Sequence, residues 1–439
     1  MKTHPTPLRK RPALRLLFLS LASLVLVLVL VSALVWTGWR QGGGDEIVKT
    51  TLPDLSSPAL LERGAYVARA GNCMGCHSDK GGAPFAGGRA IQTPFGAVFA
   101  SNLTPDPTHG LGGWSASDFW RAMHHGRSKD GRLLYPVFPY PNYTQVSRDD
   151  SDALFAFLQS LPPASQANRK HELRWPFSTQ PALAVWRALY FSPTPFVPEP
   201  AQSADWNRGA YLVQGLGHCA ACHASRNALG GSSPLDLAGG LIPMQNWYAP
   251  SLNSPAEAGV SRWPQDHVVA LLKTGTSPSG SVQGPMAEVV VHSTQHLLDS
   301  DLRAMAVFLQ SLPERASDIE RAPVTRTQLS KSGGQLYDKH CAQCHGESGQ
   351  GVPNAYPALA GNRAVNLAST VNLVQVVLHG GYPPATAGNP RPYGMPPYVM
   401  DLNDKETASV LSYIRGSWGN QAAEVTAVDV NQARQRSGR

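Results

Sequence analysis

The chain has 439 residues, of which 42% are hydrophobic, and it carries a formal net charge of +7 at pH 7. This length predicts about three domains, since one domain commonly holds about 100–200 residues. Much of the positive charge lies near the N-terminus and no long basic run follows further along, which argues against nucleic acid as a partner.

The N-terminal segment combines a basic flank with an apolar run of membrane length. Residues 1–15 contain five lysines and arginines and no acid, and residues 16–36 contain no charge. Residues 1–44 therefore predict a cytoplasmic stub, a transmembrane anchor over 16–36 and a tether, Gln41-Gly-Gly-Gly44. The remainder of the chain is expected in the periplasm, held at the inner (cytoplasmic) membrane.

A cleaved signal peptide is the alternative interpretation of the same segment. Val31-Ser-Ala33 fits a small-residue cleavage site. The apolar run continues past it, however, and Trp36 and Trp39 suit a membrane interface. We therefore favour an anchor that is not cleaved.

Three C-x-x-C-H boxes use all six cysteines. Two cysteines three residues apart share one helix face and can form thioethers with the two vinyl groups of a haem, while the adjacent histidine points at the iron. A thioredoxin-like pair or half of a zinc site are the alternatives for a bare C-x-x-C. Because each box has its own histidine and no cysteine is left over, we expect three covalently bound haem c groups. The attachment cysteines are Cys73 and Cys76, Cys219 and Cys222, and Cys341 and Cys344, and the proximal ligands are His77, His223 and His345.

Internal repeats surround the boxes. Arg63-Gly-Ala-Tyr66, Arg208-Gly-Ala-Tyr211 and Gly333-Gly-Gln-Leu-Tyr337 precede them, and each repeat closes on a helix with apolar residues at three- and four-residue steps. Two such helices packed around a haem are typical of a class I type cytochrome c domain. The predicted fold class is therefore all-α, with three such domains in tandem over residues 45–167, 201–320 and 321–420.

Two segments lie outside the predicted domains. Residues 168–200 form an aromatic and proline-rich linker, which we expect to pack on a neighbouring domain or a partner subunit. Residues 421–439 are a polar tail, expected to have no fixed structure unless a partner orders it.

A second axial ligand is expected where a haem iron shuttles electrons, and methionine on a loop beside proline is the usual choice in class I domains. Met286 follows Pro285 in the second domain, and Met395 precedes Pro396 in the third. We predict these two methionines as distal ligands. Three other methionines are weaker candidates: Met244 on a loop, Met305 in the core face of the closing helix, and Met400 as the second choice in the third domain.

The first domain departs from this pattern. Phe138 stands where the methionine is expected, and phenylalanine cannot ligate iron. A sixth ligand, if one exists, must come from the preceding helix, which offers Met123, His124 and His125. The alternative is that Met123 belongs to the core and both histidines are exposed.

Several motifs outside the boxes match a known family. They are Arg208-Gly-Ala-Tyr-Leu212, Thr93-Pro-Phe-Gly96, Asn102-Leu-Thr-Pro-Asp106, Gly284-Pro-Met-Ala-Glu288 and Ser417-Trp-Gly-Asn420. On these the chain resembles the tri-haem cytochrome c subunits of membrane-bound periplasmic dehydrogenases. The resemblance implies electron transfer from a catalytic subunit to membrane ubiquinone or a downstream oxidase, with a small iron-sulfur subunit as a further candidate partner. It implies no substrate site on the chain itself.

Phe138 bears on the identity of the partner. The alcohol dehydrogenase branch of the family resembles a loop with methionine at this place, whereas phenylalanine resembles the cytochromes that accompany molybdenum hydroxylases. The expectation therefore favours a molybdenum-hydroxylase type aldehyde dehydrogenase over a quinoprotein alcohol dehydrogenase. Two alternatives remain: a peroxidase-like enzyme with an open first haem, and a cytochrome c subunit of a terminal oxidase.

Overall fold

The computed structural model describes residues 12–41, 56–233, 235–317, 328–353 and 355–437. The described residues are 46% helical, and their strands are two to four residues long. The predicted all-α class therefore holds for the main elements, but it missed these short ribbons. Most of the predicted tether and the connection at 321–327 lie outside the described residues.

The first helix, α1 (Pro12–Arg40), contains the apolar run. It is the one helix in the described ranges that is long and apolar enough to cross a membrane. The side chains along its apolar run are exposed, so their surface is free to contact lipid.

The elements of the first repeat and the linker follow in chain order. They are α2 (Pro58–Ala70), α3 (Cys73–His77), β1 (Ala90–Thr93), β2 (Gly96–Phe99), α4 (Ala116–His125), α5 (Tyr140–Tyr143), α6 (Arg148–Gln159), β3 (Glu172–Leu173) and α7 (Gln180–Tyr190). The three strands form an antiparallel sheet in the order β1-β2-β3, with Ala90 opposite Phe99 and Gly96 opposite Leu173.

The second and third repeats have the same plan. The second contains α8 (Ala204–Ala210) continued by a π-helical turn (Tyr211–Leu216), α9 (Ala220–His223), β4 (Gly240–Ile242), β5 (Trp247–Ala249), α10 (Gln265–Thr274), β6 (Thr276–Ser277), β7 (Gly280–Ser281), α11 (Pro285–His292), a 3-10 turn (Thr294–His296) and α12 (Asp299–Ser311). The third contains α13 (Gln328–His340), α14 (Ala342–His345), α15 (Arg363–Asn366), α16 (Val371–His379), α17 (Asp404–Gly416) and α18 (Ala427–Ser437). Strands β4 and β5 pair antiparallel, as do β6 and β7.

A glycine lets the first and last helix of each repeat cross closely. The pairs are α2 with α6, α8 with α12 and α13 with α17. A Cβ at Gly64, Gly209 or Gly333 would lie 2.0–2.1 Å from a backbone oxygen of the closing helix. This overlap explains the glycine in each repeat motif, because any larger residue would push the two helices apart.

The first two repeats share one hydrophobic core. Buried residues from both, such as Leu154 and Leu302, belong to the same cluster. The third repeat has its own cluster around Tyr337 and Leu411. The linker between the first two repeats thus joins two halves of one packed unit.

Reciprocal hydrogen bonds join those two repeats. Tyr66 donates to Asp301 at 2.5 Å, and Tyr211 donates to Asp150 at 2.6 Å. Each carboxylate also binds the arginine of its own repeat, Arg63 for Asp150 and Arg208 for Asp301. The two repeats therefore meet through the same residues, as in a two-fold interface.

The linker packs on its neighbours as expected. Helix α7 lies against α1, where Gly38 is so close to Ala184 that a Cβ would lie 1.8 Å from its carbonyl oxygen. Arg187 of α7 is fully buried and donates to the carbonyl oxygens of Gly38 and Gln41. The end of the anchor is therefore docked, and Gln41, the first residue of the predicted flexible tether, is held in place.

The prediction of an unstructured tail is wrong for the described part of residues 421–439. Helix α18 packs on α16 and α17, and Val425 and Val430 are fully buried. Arg434 pairs with Asp404 at 2.6 Å. These few apolar side chains are spaced so that they pack against the core of the third repeat. The tail is otherwise largely polar, and its composition therefore did not indicate a packed helix.

Candidate functional site

The three box histidines have the same hydrogen-bonded geometry. Nδ1 of His77 lies 2.7 Å from the carbonyl oxygen of Ser101, that of His223 lies 2.7 Å from Pro250, and that of His345 lies 3.0 Å from Pro357. A carbonyl can only accept, so Nδ1 carries the proton and Nε2 keeps its lone pair. Burial also lowers the pKa of each of these histidines, which keeps the imidazole in the neutral form that binds metals.

The box cysteines do not behave as a redox pair. All six lie in the described residues and none forms a disulfide. Burial raises the pKa of the Cys73 and Cys219 thiols to about 12 and that of Cys341 to about 11, whereas a thioredoxin-like pair has a lowered pKa. No group of three or more metal-binding side chains occurs in the described part of the chain, which argues against zinc.

One continuous cavity of about 630 Å³ joins the second and third boxes. Most of its lining is apolar, as expected for a site that takes a large apolar cofactor. The predicted site residues that face it are Cys219, Cys222, His223, Met286, Cys341, Cys344, His345 and Met395. Cysteine pairs, histidines with a free Nε2 and methionine thioethers around an apolar cavity are a donor set that fits covalently bound haem.

Local backbone geometry brings the two methionines to this cavity. Met286 lies in the first turn of α11, after Gly284, whose φ of 55° and close contact with Trp247 exclude a larger residue. Met395 is held by two backbone hydrogen bonds to Gly381, of 2.8 and 3.0 Å. Local contacts with Trp247 and Gly381, which also line the cavity, thus fix the backbone beside each methionine.

The other methionines fit a distal ligand less well. Met400 is 91% exposed and Met244 is 58% exposed, so both point away from the cavity walls. Met305 is 4% exposed and belongs to the shared core, in agreement with its expected role there.

Helices α4, α10 and α16 occupy equivalent places. Each ends before a glycine with positive φ, and the residues three positions earlier are Met123, Leu272 and Val377. Leu272 and Val377 line the cavity, and each of their repeats has a separate methionine. Met123 has the equivalent place in α4 and is buried in the core cluster against which Cys73 packs.

His124 and His125 lie on a different side of α4. The His124 ring stacks on Trp120 at 4.2 Å, and the carbonyl oxygen of His125 accepts a hydrogen bond from Arg187. His125 thus lies beside Arg187, and the His124 ring meets the His125 ring edge-on at 4.8 Å. The expectation that both are exposed is wrong, because His124 is 6% exposed and His125 is half-buried.

Arg89 connects the first box with α11 of the second repeat. Arg89 donates to the carbonyl oxygen of Gly75 inside the box, at 2.5 Å, and to Glu288 on α11, at 3.0 Å. It therefore connects the first attachment loop to the helix that carries Met286. No sequence pattern marked Arg89, because its partners are distant along the chain.

Comparisons with known proteins agree with this geometry. Residues 330–418 match the family model described as cytochrome c. The cytochrome c subunit of the quinone alcohol dehydrogenase from Komagataeibacter europaeus is 39% identical over 401 residues, which cover 87% of this chain and 85% of that protein.

Two other relatives are associated with different dehydrogenases. The gluconate 2-dehydrogenase cytochrome c subunit from Pantoea cypripedii is 39% identical over 403 residues, which cover 87% of this chain and 91% of that protein. A subunit of the nicotinate dehydrogenase from Pseudomonas putida is 39% identical over 412 residues, which cover 90% of this chain and 34% of that protein.

Proposed function

Because this chain belongs to the family of cytochrome c subunits that serve alcohol, gluconate and nicotinate dehydrogenases, we propose that it relays electrons from a periplasmic dehydrogenase to membrane ubiquinone. The observation that carries the proposal is the continuous cavity around the second and third boxes, lined by both cysteine pairs, both histidines and both methionines. Haem bound there supplies one-electron redox chemistry.

We assign the site residues as follows. Three haem c groups are attached, one at each box, in three cytochrome c domains. His77, His223 and His345 would bind the iron through nitrogen, and Met286 and Met395 would ligate the second and third haems. The equivalent hydrogen bonds of the three histidines support an equivalent role.

The second haem is central in the proposed relay. Its box shares a cavity with the third box, and α11, the helix that carries Met286, contacts the first repeat through Glu288 and Arg89. The first repeat in turn is docked on α1 through Arg187. This arrangement supports a relay in which the first haem lies nearest the membrane and the third haem lies at the opposite end.

The membrane end of the relay has groups suited to a quinone. Nδ1 of His124, Nδ1 of His125 and Nε of Arg127 are buried and have no hydrogen-bond partner among the described residues. They lie near the docked end of α1, where Arg127 stacks over Trp39. The carbonyl oxygens of a quinone headgroup accept hydrogen bonds from such donors, and its tail would follow the apolar helix.

The type of partner dehydrogenase is the finer part of the proposal. Phe138 in place of methionine favours a molybdenum-hydroxylase type enzyme over a quinoprotein alcohol dehydrogenase, with a small iron-sulfur subunit as a further partner. The relatives do not separate these partner types, since the subunits from the alcohol, gluconate and nicotinate dehydrogenases are each 39% identical to this chain.

Purification of the full-length protein from membranes tests the proposal. We expect a dehydrogenase subunit to co-purify, and the complex to reduce ubiquinone when its substrate is added. Recovery with a terminal oxidase core would overturn the partner assignment. Rapid peroxide turnover by the purified protein would support instead a peroxidase-like function, which an open first haem at Phe138 motivates.

A further inference from the structure

Tyr143 lies where the first two attachment loops meet. Its side chain is 5% exposed, and its hydroxyl donates to the carbonyl oxygen of Gly71 at 2.9 Å. The same oxygen is 3.5 Å from Nδ1 of His218. Gly71 is two residues before Cys73, and His218 immediately precedes Cys219. One phenol therefore contacts both loops that carry attachment cysteines.

Aromatic rings continue this contact on both sides. The Tyr143 ring centroid lies 5.4 Å from that of Phe138 and 5.4 Å from that of His218. Phe138 stands at the place that a distal methionine has in the other repeats. The three rings thus connect the distal loop of the first site with the attachment loop of the second.

The contact is made by neutral groups. Burial raises the pKa of Tyr143 well above its ordinary value and lowers that of His218. Nδ1 of His218 also lies 2.9 Å from the carbonyl oxygen of Leu216, which makes it a donor. The hydroxyl therefore gives its proton to Gly71, and the longer contact with His218 falls on its lone pair.

This contact breaks the symmetry between the two repeats. Tyr143 precedes Asp150 by seven residues, and Thr294 precedes Asp301 by the same number. The hydroxyl of Thr294 donates to Leu272 within its own repeat. The bridge between the loops is thus made once, from the first repeat only.

We propose that Tyr143 is a positioning residue that sets the placement of the first two attachment loops, and thereby the potentials and electron exchange of haems one and two. The inference rests on the proposed attachment of haem at both boxes. The exchange moves one electron from the ferrous iron of one haem to the ferric iron of the other and takes up no proton.

Tyr143→Phe in the full-length, haem-loaded protein tests this inference, because it removes the hydroxyl and keeps the ring. We expect shifted potentials for two of the three haems in a spectroelectrochemical titration, and electron exchange between them that is several-fold slower after flash reduction. The potential of the third haem should change least, since the contacts of Tyr143 are with the first two repeats.

Tyr66→Phe is the matched control. It also removes a tyrosine hydroxyl that joins the two repeats, but Tyr66 binds Asp301 rather than an attachment loop. We expect it to lower the melting temperature and leave all three potentials unchanged. Wild-type potentials and exchange in Tyr143→Phe would overturn the inference, as would equal shifts in both variants.

A double-mutant cycle provides a second, independent measurement. His218 has a φ of 38°, and Asn72, which precedes the first box, has a φ of 48°, so His218→Asn suits the same backbone. The effects of Tyr143→Phe and His218→Asn on the two potentials should be non-additive. Additive effects would contradict the bridge, whether or not the chain serves a dehydrogenase.

Discussion

The buried guanidinium of Arg187 donates from Nε to the carbonyl oxygen of Gly38 at 3.2 Å. Its two other nitrogens donate to the carbonyl oxygens of His125 and Gln41, at 2.8 and 2.9 Å. These carbonyls belong to the ends of α4 and α1, which have no further partner within their own helices. Arg187 therefore caps the anchor and the first repeat together.

Arg187→Met should loosen this junction. It leaves the carbonyl groups of Gly38, Gln41 and His125 without their donor, and we expect a loss of roughly 2–4 kcal/mol from the free energy of unfolding. Thermal unfolding in detergent measures the change. Arg132→Met is the control, because Arg132 is exposed and pairs with Asp130 at the surface. An equally small effect of both variants would contradict the capping role.

Asp150 and Asp301, whose carboxylates bind across the two repeats, should contribute equally to the free energy of unfolding. Asp150→Asn and Asp301→Asn each weaken a bond to a tyrosine of the other repeat and to an arginine of the same repeat, at a cost of about 1–3 kcal/mol. Asp299→Asn should cost less than about 1 kcal/mol, because Asp299 is paired with Lys273 at the surface. Denaturant unfolding measures all three, and a large effect at only one carboxylate would argue against the two-fold relation.

The two methionines at the cavity should each ligate one iron. Met286→Leu and Met395→Leu should each remove about half of the absorption band of methionine-ligated ferric haem and lower the potential of one haem. Met400→Leu should change neither, because that side chain is 91% exposed. Optical spectra and redox titration measure the outcome, and a lost band in Met400→Leu would move the ligand to that residue.

The first haem should lack a sixth protein ligand. Phe138 cannot ligate iron, Met123 is buried in the shared core, and the His124 ring stacks on Trp120. Low-temperature EPR should show a high-spin ferric component, which Phe138→Met converts to a low-spin, methionine-ligated form. Met123→Leu should leave the component unchanged. A bis-histidine signal, or a third methionine-ligated signal in place of the high-spin component, would contradict this prediction in the unaltered protein.

Stability should fall in acid through the histidine pair. Burial lowers the pKa of His124 and His125 to about 4. The positive charges of Arg187, Arg127 and Arg121 also lower the pKa of His125. The unfolded chain takes up these protons near pH 6.5, so stability is complete above that pH and is lost as the pH falls towards 4.

Replacing both histidines by glutamine should flatten this part of the pH profile. The melting temperature between pH 7 and pH 4 measures the effect, with the exposed His379→Gln as the control. An unchanged slope in the double variant would show that other groups cause the acid sensitivity.

The haem boxes were readable from the sequence because their chemistry is local. Two cysteines and a histidine within five residues share one short helix, so Cys73, Cys76 and His77 needed no information from elsewhere in the chain. The repeats and the apolar N-terminal run are likewise local patterns, and they predicted the main helices and α1. Phe138 was identified as the exception for the same reason.

The contacts between these parts were decided only by the tertiary structure. Tyr66 meets Asp301, Arg187 meets Gly38, and Tyr143 meets both Gly71 and His218 across long stretches of chain. The ordered tail depends on a few buried side chains such as Val430, whose partners lie in another helix. A local pattern defines which groups a segment carries, whereas packing against distant segments determines which of them meet.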